Sequence, residues 1–350
     1  MAYEKILFKN NATPEDITLF VTNKCNLKCK HCFYWRELNN NKQELNLNEI
    51  EKIAHSMNKF RYLALTGGEP FLRDDLTHIV KSFSNKVKNI SISTNGTFTD
   101  TILEKTENIL KINKKINVAV IVSIDHLKEK HDEIRGVKGT FDKAVLTIKK
   151  LNELKKSYSH LNISVSMTFM SQNQDEIHKI YEYVLSLNPN SISIVLIRGN
   201  SKEDKCKKID ISKYTNICNR LCDDLDSNKL SGYNGFFLSY FINNMKRELY
   251  KLTSRIYKEN KYICPCYAGQ LSGVIYPNGD VYPCELLNKK IGNLRDVDYN
   301  FNKLWFSKNK KEIVKFIKES KCFCIHGCNL MCAILFNKKY LLKIMLKKRR

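Results

Sequence analysis

A chain of 350 residues with 43% apolar side chains is longer than one average domain and apolar enough to bury a core. Its formal charge of +23, from 59 Lys and Arg against 36 Asp and Glu, favours anionic partners, but Lys is spread everywhere beside abundant Asn and Ile, so compositional drift accounts for it equally well. The absence of any run of about 20 apolar residues argues against a spanning helix, the N-terminus lacks the apolar core of a secretory signal, and thirteen cysteines in such a chain read as reduced thiols and metal ligands in the cytoplasm.

Residues 1–15 read as a lead-in. Residues 17–22 are the first of six short apolar or β-branched runs, followed by 62–66, 90–94, 118–124, 163–169 and 192–197. Such runs suit parallel strands buried on both faces. Between them, residues 47–59 (opened by Asn46), 76–84, 101–110, 141–154 and 175–187 carry apolar spacings of three and four and are expected as helices. Six β/α units predict an α/β fold over residues 16–200, with a parallel, barrel-like sheet short of the eight units of a closed TIM barrel. Active sites in such sheets gather at the carboxyl ends of the strands.

At the first of those ends stand Cys25, Cys29 and Cys32, spaced C-x3-C-x2-C. Thiolates at that density read as ligands to zinc or to an iron–sulfur cluster. Structural zinc takes four ligands, and no fourth Cys or well-spaced His follows nearby. At the second strand end stand Gly67, Gly68, Glu69 and Pro70. Two glycines let backbone approach a ligand, and the carboxylate can accept from an ammonium group. Together, the cysteine triad and Gly-Gly-Glu-Pro resemble the radical SAM superfamily. The resemblance implies a partial (β/α)6 TIM-like barrel and a [4Fe–4S] cluster on Cys25, Cys29 and Cys32, its fourth iron chelated by S-adenosylmethionine. It further implies reductive cleavage of that cofactor to a 5′-deoxyadenosyl radical, with flavodoxin or ferredoxin as the kind of electron donor.

Later strand ends carry Asn95, Ser123, Asp125 and Arg198, places that in radical SAM proteins commonly contact the methionine or ribose of the cofactor. Ser123 and Asp125 suit ribose hydroxyls, and Arg198 suits a carboxylate; ordinary turn and capping chemistry explains the same residues. His131 to Gly136 is expected on a loop and resembles an H-D-x-x-R-G stretch frequent in the superfamily. Residues 201–262 read as a linker with two helices, 211–225 and 236–257, where Cys206, Cys218 and Cys222 are expected as packing groups.

Cysteine returns at Cys264, Cys266 and Cys284, then at Cys322, Cys324, Cys328 and Cys332. Asn278-Gly279 predicts a hairpin whose ends approach Cys266 and Cys284. Cys266, twelve residues, Gly279, four residues and Cys284 resemble the opening of a SPASM or twitch extension, as do Gly292-Asn293-Leu294 and Leu304-Trp305. The end departs from that family, running C-x-C-x3-C-x3-C. Residues 263–335 are therefore expected as a small cysteine-rich domain with one auxiliary [4Fe–4S] cluster, held by Cys266, Cys284 and two of Cys322, Cys324 and Cys328. Cys264 and Cys332 are spares or belong to a second cluster, and a zinc ribbon is the plain alternative. The tail, 336–350, is basic and amphipathic if helical, which suits contact with an anionic membrane as well as packing on the core.

The expected reaction is an oxidation in which the auxiliary cluster accepts an electron or anchors the substrate. A small molecule, such as a sugar or cyclitol dehydrogenated at an alcohol, is the first expectation, because no leader-peptide-binding domain fits before Ile17. Peptide modification is the alternative. The reading from another class is a non-catalytic iron–sulfur or zinc protein binding nucleic acid, a partner the radical SAM reading does not call for.

Overall fold

The structure, a computed structural model, describes residues 13–230 and 236–345, and the side chains of 236–239 are not considered. Most of the lead-in and the last five residues of the basic tail lie outside the described residues. Among the described residues nine strands form one sheet: β1 (Asp16–Thr22), β2 (Tyr62–Gly67), β3 (Asn89–Thr94), β4 (Asn117–Ser123), β5 (Leu161–Phe169), β6 (Ser191–Leu196), β7 (Ser272–Ile275), β8 (Asp280–Tyr282) and β9 (Gly292–Asn293). Their order is β6-β5-β4-β3-β2-β1-β7-β8-β9. The first six are parallel, each paired with the next in sequence, which is the open, partial barrel expected.

Helices Leu47–Ser56, Leu76–Phe83, Thr99–Ile112, Thr140–Lys155 and Ile177–Ser186 fill the crossovers, within a few residues of the predicted spans. The strands are apolar on the face the helices cover, where Leu63, Leu65, Ile92, Val120, Ile163 and Ile192 are buried in one core. The other face of β4 and β5, with Ser123, Ser164 and Thr168, is only partly buried, so the expected burial on both faces gives way to alternation. The stretch from His131 departs from expectation. It lies in a helix, Lys128–Arg135, ended by Gly136 at φ 74°. The segment is almost wholly charged and so shows no apolar period, yet its closing glycine in the left-handed region is a common helix stop. Asp132 then accepts from the backbone of Gly139 and Phe141 and ties the helix to the next one.

The C-terminal region does not stand apart from the barrel. β7 pairs in parallel with β1, Asp16 opposite Ser272 and Leu19 opposite Ile275, and the β7–β8 hairpin turns at Asn278-Gly279 as predicted. Beneath it Trp305 is fully buried and stacks on Phe301. A Cβ on Gly273 would sit 2.7 Å from the Trp305 ring, so strand and indole fit only with glycine there. Helices Ile211–Asp226 and Phe236–Glu259 pack side by side, burying Cys218 and Cys222 as apolar groups. The last helix, Lys338–Met345, lies on Phe236–Glu259 through Ile344, and Lys343 pairs with Glu248 at 2.6 Å. No helix among the described residues is long and apolar enough to cross a membrane.

Candidate active site

Cys25, Cys29 and Cys32 follow β1 on a loop fastened at several places. Cys25 N–H donates to Asn39 Oδ1 at 2.9 Å, and Asn39 Nδ2 returns a bond to the Cys25 carbonyl at 3.0 Å. The N–H groups of Lys28 and Lys30 donate to the carbonyls of Arg135 and Ile134, at the end of helix Lys128–Arg135. The three thiols line a cavity of about 200 Å³ together with Gly67, Gly68, Asn95, Ser123, Arg135 and Arg198.

Burial raises all three thiols; Cys29 and Cys32 add to the cost of ionising Cys25, and Cys29 to that of Cys32, so that Cys25 is pushed up to about 12 and Cys32 to about 11. Crowded sulfurs with little water need a cation to become thiolates, which is what a metal centre supplies. Among the described residues no three His, Cys, Asp or Glu side chains close on a single-ion site. The donor set fits an iron–sulfur cluster held by three sulfurs.

The Gly-Gly-Glu-Pro turn forms the shelf beside the thiols. Gly67 sits at φ 132°, and a Cβ there would lie 2.2 Å from the Thr22 carbonyl; on Gly68 it would lie 2.0 Å from that of Lys24. Glu69 is not among the residues that line the cavity. It is 1% exposed and its oxygens accept from Thr94 Oγ1 at 2.8 Å, Asn95 N–H at 2.7 Å and Phe71 N–H at 3.2 Å. Burial pushes its carboxyl up to about 7. It therefore fastens the turn to the end of β3, and buried Pro70 opens the short 3-10 turn that follows.

Asn95 and Ser123 line the cavity. The Asn95 amide donates to Asn26 Oδ1 at 2.8 Å, within the cysteine loop. Asp125 is placed elsewhere: it is fully buried behind the loop, 2.6 Å from Arg135 and 3.4 Å from His31, and accepts from Thr168 N–H at 2.8 Å. Burial works against its charge, but Arg135 and the two histidines outweigh it and keep the carboxyl below its ordinary value. Arg135 also reaches Cys29 Sγ at 3.8 Å. The sequence signal for this pair was the H-D-x-x-R-G stretch, whose arginine had no assigned partner.

Arg198 donates to Glu285 at 2.7 Å and sits 4.8 Å above the Phe33 ring. His326 approaches the same carboxylate at 3.2 Å. Burial opposes the charge of Glu285, yet Arg198 and His326 prevail and hold its carboxyl well below the usual range. The barrel, the hairpin and the last cysteine run thus meet at one carboxylate that adjoins Cys284 in sequence and that sequence reasoning missed. The thiols of Cys266 and Cys322 are hydrogen-bonded, and Cys324 is close enough to raise Cys264, Cys266 and Cys284 electrostatically. Cys328 is exposed and neighbours Glu285 and Arg198, while buried Cys332 reaches Asp16 at 3.6 Å.

Two family models match the chain: the radical SAM superfamily over residues 19–184, and an iron–sulfur cluster-binding domain, SPASM, over residues 264–332. The antilisterial bacteriocin subtilosin biosynthesis protein AlbA of Bacillus subtilis is 28% identical over 307 residues, 83% of this chain and 61% of that protein. The sporulation killing factor maturation protein SkfB of the same organism is 31% identical over 175 residues, 48% of this chain and 39% of its own length. The chain therefore spans less than two thirds of either relative. The crystal structure of Streptococcus suis SuiB bound to S-adenosylmethionine superposes with a TM-score of 0.62 at 18% identity, covering 87% of this chain and 68% of SuiB. SuiB bound to its precursor peptide SuiA gives 0.60 at 18% identity, covering 86% and 66%.

Proposed function

The chain belongs to the radical SAM superfamily and carries a SPASM domain, with the [4Fe–4S] clusters and S-adenosylmethionine these imply, and on that premise we propose that it oxidatively modifies a peptide. When bound, cluster and S-adenosylmethionine together supply a 5′-deoxyadenosyl radical that takes hydrogen from an unactivated C–H bond. Cys25, Cys29 and Cys32 would hold that cluster. Gly67 and Gly68 expose backbone to the methionyl end of the cofactor, because no side chain stands in the way. The Ser123 hydroxyl, which bonds no described residue, is a donor to the cofactor's oxygens. Arg135 places a positive charge beside Cys29 and offsets the thiolate's. Cys266, Cys284, Cys322 and Cys324 are the set we assign to one auxiliary cluster.

The observation that carries the catalytic reading is the convergence of three partly buried thiols and a side-chain-free glycine shelf on one cavity. The names of AlbA and SkfB and the SuiB–SuiA complex support a peptide over the sugar or cyclitol expected first. Anaerobically reconstituted protein is expected to bind about eight irons, two [4Fe–4S] clusters. With dithionite and S-adenosylmethionine it should release 5′-deoxyadenosine, and Cys29→Ala should not. Release should rise with a peptide fraction of cell extract; a rise with the protein-free small-molecule fraction alone would overturn the peptide reading, and no release at all the whole proposal.

A further inference from the structure

A second cavity, of about 360 Å³, lies between the loop after the first cysteine triad and the β7–β8 hairpin. Its wall is aromatic. Tyr34 and Tyr276 stack at 5.9 Å, Tyr276 meets Tyr282 edge-on at 5.4 Å, and buried Phe20 backs the first two at 4.8 Å. Among the described residues none of the three phenol oxygens has a hydrogen-bond partner.

The acids of the cavity, by contrast, are engaged. Glu37 accepts from Lys42 at 2.6 Å and Asn40 at 3.1 Å, Asp280 from Asn293 at 2.9 Å and Lys290 at 3.2 Å, and Glu285 from Arg198 at 2.7 Å. Arg36, exposed at the rim, lies 5.2 Å over the Trp35 ring and pairs with no carboxylate among the described residues. The cavity therefore holds unbonded phenol donors and an unpaired guanidinium while its carboxylates are engaged, which suits an occupant that brings a negatively charged acceptor. Its volume suits a side chain with adjoining backbone. It is also close to the chemistry: Phe33 lines both cavities, Cys284 lines this one, and the Arg198–Glu285 pair joins the two.

We propose that this cavity is the substrate's docking site and that it takes a peptide segment through an Asp or Glu side chain, bound by the Tyr276 and Tyr282 hydroxyls and Arg36. This rests on the peptide reading above. The probes are two random decapeptide pools, one with Glu fixed at the middle position and one with Gln, captured on reconstituted full-length protein. Charge-assisted bonds predict about tenfold greater retention of the Glu pool. That preference should fall to near parity in Tyr276→Phe/Tyr282→Phe, which leaves the protein's charge unchanged, and in Arg36→Gln. Iron content and circular dichroism report whether each variant is folded, and exposed Arg36 carries the test if the tyrosine pair is not. Equal retention by the wild type, or a Glu preference that survives the substitutions and so belongs to the basic surface, overturns the proposal. Release of 5′-deoxyadenosine without a Glu preference removes the docking site and leaves the reaction; no release removes the reaction, whatever the pools show.

Discussion

At the scale of single residues, the glycine shelf shows how little room the site has. A methyl group on Gly68 would have to displace the Lys24 carbonyl, in the backbone of the cysteine loop itself, from 2.0 Å. Backbone cannot yield as a long side chain does. Gly68→Ala is expected to cost about 2–4 kcal/mol, in the range of severe single substitutions. It should lower the melting temperature and the iron content together. A variant with wild-type iron and melting temperature would show that the loop moves freely, contrary to its hydrogen bonds. Glu69 beside it illustrates what a motif conceals: its carboxylate is legible in sequence, but its burial and three local donors are not.

Elements meet across the chain through single charged side chains. Asn46 and Glu49 cap helix Leu47–Ser56 reciprocally, at 3.0 and 2.8 Å. The same Glu49 also accepts from Tyr299 at 2.6 Å and from Arg295 at 3.2 Å, so one residue starts a barrel helix and holds the C-terminal region. Asn46→Ala should cost about 1 kcal/mol, the usual worth of a cap. Glu49→Ala should cost about 2–3 kcal/mol, because it loses the long-range bonds as well. Crossing Glu49→Ala with Arg295→Ala in urea unfolding should give a coupling of about 1 kcal/mol, and additivity would remove the tether. Burial raises the Glu49 carboxyl, but Tyr299, the Asn46 backbone and Arg295 outweigh it and leave it below 4.5. Its contribution is thus present above pH 4.5 and lost as the pH falls through the folded value.

For the whole molecule, the decisive feature is the seam between β1 and β7. The first strand of the barrel has β2 on one side and the C-terminal hairpin on the other. Removing everything after residue 262 would bare the β1 edge and uncover Ile17, against which Trp305 and Gly273 now lie. A bare, apolar strand edge pairs with other chains. The shortened chain should therefore elute as aggregate in size exclusion, and the intact chain should melt in a single transition. A monomeric, cooperatively folded 1–262 fragment would show instead that the barrel stands alone.

Local features could be read without the fold. The cysteine triad, the Gly-Gly-Glu-Pro turn, the Asn278-Gly279 hairpin and the six β/α units are all patterns of near neighbours, and ligand spacing, turn chemistry and apolar period act over a few residues. Helix Lys128–Arg135 escaped because its length is charged and its only signal is the glycine that ends it. Asp125 with Arg135, and Arg198 with Glu285 and His326, look like ordinary charged residues one at a time. Whether a carboxylate faces water, a cofactor or a buried guanidinium depends on which distant segments the sheet brings against it, and that is decided only when the chain has folded.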